Sequence, residues 1–323
     1  MTTHHNTLDF RLRAPEGVTF ALPDSGLGQE FVEAVVQQLT RIEWHQYATL
    51  PAEVEASLPW SQNPMVRTTY TRGAEDALLQ LVRHASIKQI HCARWSYPGY
   101  ARIAKRLGLG IQEYASIDQL QGTRPLREDN LVVVTEPGNP FTIGATSALD
   151  PSLFGHAHLV VDAAYANPFS PEFALNSANL AAKGVPTVFT LSKTAGLAAS
   201  RLGGVVALRG TSDSPEQDPR FWDAFSVSVL AVLASKHGRN LLSAFERERS
   251  ELADQLVREL VRWDLPVVRS QSNLFVTCFS KAVHSASFEH LVDLVQGKRY
   301  FDKVGGSLLR IDVSRDNVKA LKE

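Results

Sequence analysis

Six short apolar runs rich in β-branched residues recur through the middle of the chain, at residues 88–93, 110–114, 131–135, 158–161, 186–190 and 204–208. Segments with helical spacing, such as residues 99–107, fall between several of them. A run such as Leu131-Val-Val-Val-Thr135 has no polar face to turn to water, so it is read as a strand buried on both sides. Buried strands that alternate with helices predict an α/β fold whose mostly parallel sheet is covered on both faces. A long helical tract follows, from about residue 218 to 261, interrupted near Gly238 and solvated along Glu246-Arg-Glu-Arg-Ser-Glu251. The tail alternates strand (272–279), helix (287–294) and strand (307–313), which predicts a small α+β lobe. With 323 residues, 44% of them hydrophobic, the chain buries enough surface for two lobes. The expected division is an N-terminal segment (1–35) joining the small lobe, a large domain (36–225) and a small C-terminal domain (226–323).

Composition narrows the partners. The formal net charge is −1, and basic residues neither cluster nor interleave with aromatics, so no nucleic-acid partner is expected. No apolar stretch approaches membrane-spanning length, so no membrane partner is expected either. Two cysteines, Cys92 and Cys278, are too few for a disulfide framework or a cysteine-based metal site, which favours a reducing compartment. His4 and His5 read as terminal residues rather than metal ligands, and no metal site is expected. The N-terminal residues carry no signal-like charge and apolar core, so a cytoplasmic location is expected.

Four segments carry chemistry. In Thr190-Leu-Ser-Lys-Thr-Ala-Gly196, Lys193 stands among small residues with Arg201 eight positions further on. That arrangement presents an amine nucleophile beside an anion anchor. Lysine forms Schiff bases with carbonyl compounds, the chemistry that pyridoxal phosphate (PLP) exploits; alone, the stretch also reads as a solvated lysine in a loop. Upstream, Thr71-Arg-Gly-Ala-Glu-Asp76 precedes apolar positions Ala77, Leu78, Leu81 and Val82 at helical spacing. Free N–H groups at such a helix start bind anions, and Gly73-Ala74 admits a phosphate closely; an ordinary helix start with an acidic first turn is the other reading. In Leu131-Val-Val-Val-Thr-Glu-Pro-Gly-Asn-Pro140 a buried strand delivers a loop whose Asn139 suits either a ligand's ring oxygen or a turn. In His158-Leu-Val-Val-Asp-Ala-Ala-Tyr165 a strand ends in Asp162, placed either to keep a pyridine nitrogen protonated or to cap the next element.

With these segments in this order, the chain resembles fold-type I PLP enzymes of the class I/II aminotransferase superfamily, from about Asp24 to Arg310. Thr71-Arg-Gly-Ala-Glu-Asp76 is similar to the phosphate turn of histidinol-phosphate aminotransferases, which implies cofactor contacts at Gly73, Ala74 and Glu75. Trp95-Ser-Tyr-Pro-Gly-Tyr100 resembles the segment whose aromatic residue stacks on the cofactor ring, pointing to Tyr97. Glu136-Pro-Gly-Asn-Pro140 is similar to the Asn-Pro-x-Asn-Pro loop, with Glu136 for the first asparagine. Asp162 and Tyr165 match the pair on the ring nitrogen and phenolic oxygen; Ser192-Lys193 and Arg201 match the Schiff-base lysine and phosphate ligands. Ser272-Asn-Leu-Phe-Val276 and Leu309-Arg-Ile-Asp-Val313 resemble the segments that receive substrate, implying Asn273 and, as carboxylate anchor, Arg310. Trp44-His-Gln-Tyr47 loosely resembles the segment whose tyrosine reaches the neighbouring subunit's cofactor phosphate, which implies a homodimer; an aromatic packing role for Tyr47 is the alternative. The resemblance further implies a mostly parallel seven-stranded sheet between helices, as a large PLP-binding domain.

Departures from the pattern bear on reaction type. Leu22-Pro-Asp-Ser-Gly-Leu-Gly28 stands where the family has Asn-Glu-Asn-Pro-x-Gly, and Phe141-Thr-Ile-Gly144 replaces Thr-Gly after Pro140. The runs around Asp162 and Lys193 also resemble the alliinase and tryptophan-aminotransferase branch, which includes a carbon–sulfur lyase. The leading expectation is an amino-acid aminotransferase acting on an amino acid and a 2-oxo acid, with Lys193 as Schiff-base residue and general base. Other PLP chemistry, such as β- or γ-elimination, decarboxylation or oxidative deamination, is the alternative. A non-catalytic regulator is disfavoured, because Lys193, Asp162 and Arg201 are all retained and little chain precedes Asp24 to house a DNA-binding domain.

Overall fold

The computed structural model describes residues 28–41, 48–94, 96–121, 126–138, 149–197, 200–211, 217, 221–280, 286–301 and 307–322. A seven-stranded sheet is built from β1 (Val66–Thr71), β2 (Gln89–Ala93), β3 (Gly110–Tyr114), β4 (Asn130–Thr135), β5 (His158–Asp162), β6 (Thr187–Thr190) and β7 (Gly203–Leu208), ordered β1-β7-β6-β5-β4-β2-β3. Neighbours from β3 to β6 pair in parallel, and β7 runs antiparallel to both β6 and β1. Each of the six apolar runs forms a strand with its ends shifted by no more than one residue. β1 was not foreseen, because Arg67 and three threonines hide it among polar residues. Among the described residues it lies at the sheet's edge, paired with β7 alone.

The central strands β4 to β7 are buried on both faces, whereas β3 at the sheet's edge is exposed except at Tyr114. Along β4, Leu131 and Val133 enter one core while Val132 and Val134 enter the other. Among the helices, α1 (Gly28–Leu39), α2 (Ala52–Ser57), α3 (Ala74–His84), α4 (Gly99–Leu107), α5 (Ile117–Gln121), α6 (Pro171–Ala182) and α7 (Ala224–Ala234) accompany this sheet. Leu78 of α3 and Ile103 of α4 fill the first core; Phe173 of α6, Val229 of α7 and Phe31 of α1 fill the second.

After α7 comes α8 (Lys236–Val261). The break between them falls at Ser235, which is extended (ψ 156°) and whose Oγ accepts from the Gly238 N–H at 3.0 Å. Gly238 lies inside α8, where a Cβ would come within 2.1 Å of the Val232 carbonyl oxygen. A second, antiparallel sheet comprises β8 (Val267–Arg269), β9 (Phe275–Ser280), β10 (Gly297–Phe301) and β11 (Ser307–Asp312), ordered β10-β11-β9-β8. α8, α9 (Ala286–Leu294) and α10 (Arg315–Ala320) contribute Leu256, Phe288 and Val318 to its core, against Val276, Cys278, Leu309 and Ile311. The expected division at 225/226 falls inside α7, and core membership changes further on, between Phe245 and Leu252 of α8. The period of two along β9 and β11 sends Phe275, Thr277 and Arg310 to the opposite face from that core. Phe275 there meets Tyr165 edge-on at 5.5 Å. Among the described residues no helix is long and apolar enough to cross a membrane.

Candidate active site

β6 ends at Thr190 and passes into a tight turn that presents Lys193. Ser192 N–H donates to Thr190 Oγ1 (3.2 Å), Gly196 N–H to the Lys193 carbonyl (3.0 Å) and Leu197 N–H to the Leu191 carbonyl (3.0 Å). Gly196 closes the turn at φ +67°, a conformation that side chains resist. The turn is moored on two sides: Thr194 Oγ1 donates to the Ala166 carbonyl, and Arg249 Nη1 of α8 donates to the Thr194 carbonyl, both at 2.7 Å. Lys193 Nζ stands 5.9 Å from the centre of the Tyr165 ring. Burial, with the charge of Arg310 as the next cause, lowers its ammonium to about 8, while Asp312 and Asp162 pull the other way. A lysine so placed is readily neutral, and the neutral amine is the nucleophile.

Asp162 closes β5 at 2% exposure. Its carboxylate accepts from Tyr100 Oη at 2.6 Å and from the Ala164 N–H at 2.9 Å, and Tyr100 Oη lies 2.9 Å from Thr135 Oγ1. Burial holds the carboxyl above its usual range, against those hydrogen bonds and the charge of Lys193. A buried carboxylate is made comfortable by a cation, and a protonated pyridine nitrogen is one. Tyr100 and Thr135 were missed from sequence. The signal available for Tyr100 was its spacing three residues after Tyr97, at the opening of α4, where side chains three apart share a side. The two rings do meet edge-on, at 5.7 Å.

The start of α3 lies beside this pair. Gly73 adopts φ +95° and no side chain caps the helix, so its first N–H groups are open to an anion. Gly203 of β7 backs the turn so closely that a Cβ there would fall 2.5 Å from the Phe189 carbonyl oxygen and 2.8 Å from Gly73 Cα. Arg201, at φ +49°, reaches its Nη2 to the Arg72 carbonyl at 3.4 Å. Ser192 Oγ is buried without a hydrogen-bond partner among the described residues. An orphaned hydroxyl, an uncapped helix start at Gly73, Ala74 and Glu75, and a guanidinium therefore fit a phosphate together. The Glu75 side chain takes other work: it accepts from Tyr97 Oη (2.6 Å) and Arg102 (2.8 Å), which outweigh burial and hold its carboxyl below the usual range. Tyr97 is thereby pinned across Gly99, where a Cβ would overlap its ring at 2.0 Å.

The substrate candidates separate. Arg310 is 6% exposed, stacked on Phe275 at 5.2 Å and paired with Asp312 at 3.3 Å, close enough to Lys193 to act on its charge. Burial raises the Asp312 carboxyl, opposed by Arg310 and Lys193. Asn273 Oδ1 instead accepts from Arg269 Nε at 2.8 Å, and the residue lines a neighbouring cavity of about 370 Å³. Asn139 and Tyr47 lie outside the described residues.

A sheet with a single reversed strand, carrying a desolvated lysine and a buried aspartate at the ends of neighbouring strands, defines the class: a PLP-dependent enzyme of fold type I. The chain belongs to the aminotransferase class I and II family, whose model matches residues 55–319. It is similar in structure to the histidinol-phosphate aminotransferase of Sinorhizobium meliloti, solved in complex with pyridoxal-5'-phosphate (TM-score 0.69, 19% identity, 93% of this chain and 86% of that one). It is also similar to an Escherichia coli protein with a methionine aminotransferase function (0.68, 15%, 93% and 91%) and to an aspartate aminotransferase double mutant of Thermus thermophilus (0.64, 17%, 94% and 88%). No curated protein matches the chain.

Proposed function

We propose that Lys193 is the catalytic residue of an amino-acid aminotransferase that moves an amino group between an amino acid and a 2-oxo acid. The observation that carries this reading is the desolvated Lys193 amine, set among Asp162, Arg201 and Arg310. Gly73, Ala74 and Glu75 backbone N–H groups, Ser192 and Arg201 would hold the phosphate of PLP, and Asp162 would face its ring nitrogen. Bound there, PLP supplies an electron sink for negative charge at the substrate's Cα. Lys193 Nζ would take the proton from the substrate's Cα and hold it as an ammonium before giving it back, a general base whose lowered pKa suits neutral pH. Asp162, steadied by Tyr100, would keep the proton on the ring nitrogen. Tyr165 would hydrogen-bond the phenolic oxygen and Tyr97 would cover the ring, with Asn139, outside the described residues, assigned to the same oxygen. Arg310 fixes the substrate carboxylate with its planar fork, and Asn273 belongs to the same receiving segment.

In this reading the enzyme works as a two-fold dimer in the cytoplasm, with Tyr47 reaching the partner's phosphate site and the second sheet plus the end of α8 forming the smaller lobe. Exposed Val32 and Val36 on α1 and Phe225 on α7 offer apolar surface for a second copy, and the two cysteines are free and buried. Borohydride should fix a pyridoxyl group on Lys193, located by peptide mapping; an adduct on another lysine overturns the assignment. Amino-group exchange should need an added 2-oxo acid, whereas ammonia release without one would mean elimination.

A further inference from the structure

The cavity beside Asn273 adjoins the cluster described above: Tyr165, Thr194 and Asn273 line it, whereas Lys193, Asp162, Arg201 and Arg310 do not. It opens between α6, α8 and the turn from β8 to β9, and its volume of about 370 Å³ falls among small-molecule pockets. Three lining residues carry buried polar atoms without hydrogen-bond partners among the described residues: Oε1 of Glu246, Nε of Arg249 and Oγ1 of Thr187. Arg249 is 3% and Thr187 2% exposed, so water reaches neither from outside. Burying such groups unpaired costs stability, most of all for charged ones. Burial accordingly raises the Glu246 carboxyl and lowers the Arg249 guanidinium to about 10. Val161, beside Thr187 on the sheet, and Phe173 and Leu180 of α6 add apolar lining.

We propose that this cavity is a second ligand site, for a free α-amino acid with an apolar side chain. The ligand's carboxylate answers Arg249 Nε and the Thr187 hydroxyl, its ammonium answers Glu246, and its side chain lies on the apolar lining. A phosphate or a dicarboxylate would set a surplus negative charge against Glu246, so a zwitterion is the matching class. Because Arg249 also holds the Thr194 carbonyl, the ligand shares this arginine with the turn that carries Lys193.

Equilibrium dialysis of labelled L-leucine tests the site, with borohydride-reduced holoenzyme so that Lys193 cannot exchange with the added amine. One leucine should bind per chain. Glu246→Gln should weaken it at least tenfold and Thr187→Val several-fold, while both variants melt near the wild-type temperature. N-Acetyl-L-leucine, which has no ammonium, should not compete. No saturable binding by the wild type, or undiminished binding by both folded variants, overturns the proposal; should Glu246→Gln fail to fold, undiminished binding by Thr187→Val does so alone. Failure of the PLP reading would show separately, as no pyridoxyl group on Lys193.

Discussion

Removing Lys193 from water changes what its nitrogen does at a given pH. Folding lowers its pKa from 10.5 to about 8, with burial the largest cause. Between those values the unfolded chain binds a proton that the folded chain refuses. This group's contribution to stability is therefore full above the unfolded value and is lost as pH falls through about 8. The same shift governs reactivity, since only the neutral amine attacks a carbonyl. The rate at which cofactor-free protein takes up PLP, followed by absorbance, should rise with pH to a plateau with its midpoint near 8. A midpoint above 10 would show that the ammonium is not desolvated. Asp162 is the complementary case, a carboxylate whose charge is useful only opposite a cation. Asp162→Asn should cost about 3–4 kcal/mol of transition-state stabilisation, the scale for losing a strong electrostatic group at a reacting centre. Tyr100→Phe removes one hydrogen bond to that carboxylate and should cost about 1–2 kcal/mol in kcat with little change in KM. Near-normal turnover in Asp162→Asn would place another residue on the ring nitrogen.

Elements meet at this site through glycines, because backbone must touch backbone. Gly203 of β7 lies against Gly73 at the head of α3, and a methyl group there overlaps two backbone positions at once. Gly203→Ala should push α3 away from the Ser192–Arg201 side of the cradle. PLP affinity, read by titrating cofactor-free protein, should fall at least tenfold, while substitution of the open Gly210 by Asn, tolerant of its φ of +81°, should leave it unchanged. Much of this level was legible in the sequence. Strands such as β4 and β7 announced themselves because a strand covered on both faces is almost wholly apolar, Asp162 and the turn carrying Lys193 followed at the ends of β5 and β6, and the α3 turn was read from the helical spacing after it. β1 was not legible, since an edge strand tolerates Arg67 and threonines that look like loop. The Tyr97–Glu75–Arg102 group was hidden for another reason: its members are 22 and 27 residues apart and meet only once α3 and α4 stand side by side. Ser235 was overlooked in favour of Gly238, although serine is the better helix cap and Gly238 serves a close crossing.

At the scale of the molecule, one helix belongs to two cores. Leu242 and Phe245 of α8 pack with the large sheet, whereas Leu252, Leu256 and Leu260 pack with the small one. The candidate cluster spans the same junction: Arg310 comes from β11, Lys193 from the turn after β6, and Phe275 meets Tyr165 between them. The position of Arg310 follows from alternation alone, since Leu309 and Ile311 on either side of it are drawn into the small core and leave it facing Lys193. Two lobes joined by a linker would melt separately, but a continuous helix cannot lose its second half without stripping contacts from its first. Heating the holoenzyme should therefore give one calorimetric transition. Leu256, fully buried in the small core, is the place to probe this. Leu256→Ala should cost about 2–5 kcal/mol, the range for emptying a buried leucine site, and should lower the temperature at which PLP is released together with that of unfolding. If the small lobe instead melted first, with PLP still held and the large sheet intact, α8 would be acting as a tether, and coupling of the lobes would have to come from the contacts of Phe275 and Arg310.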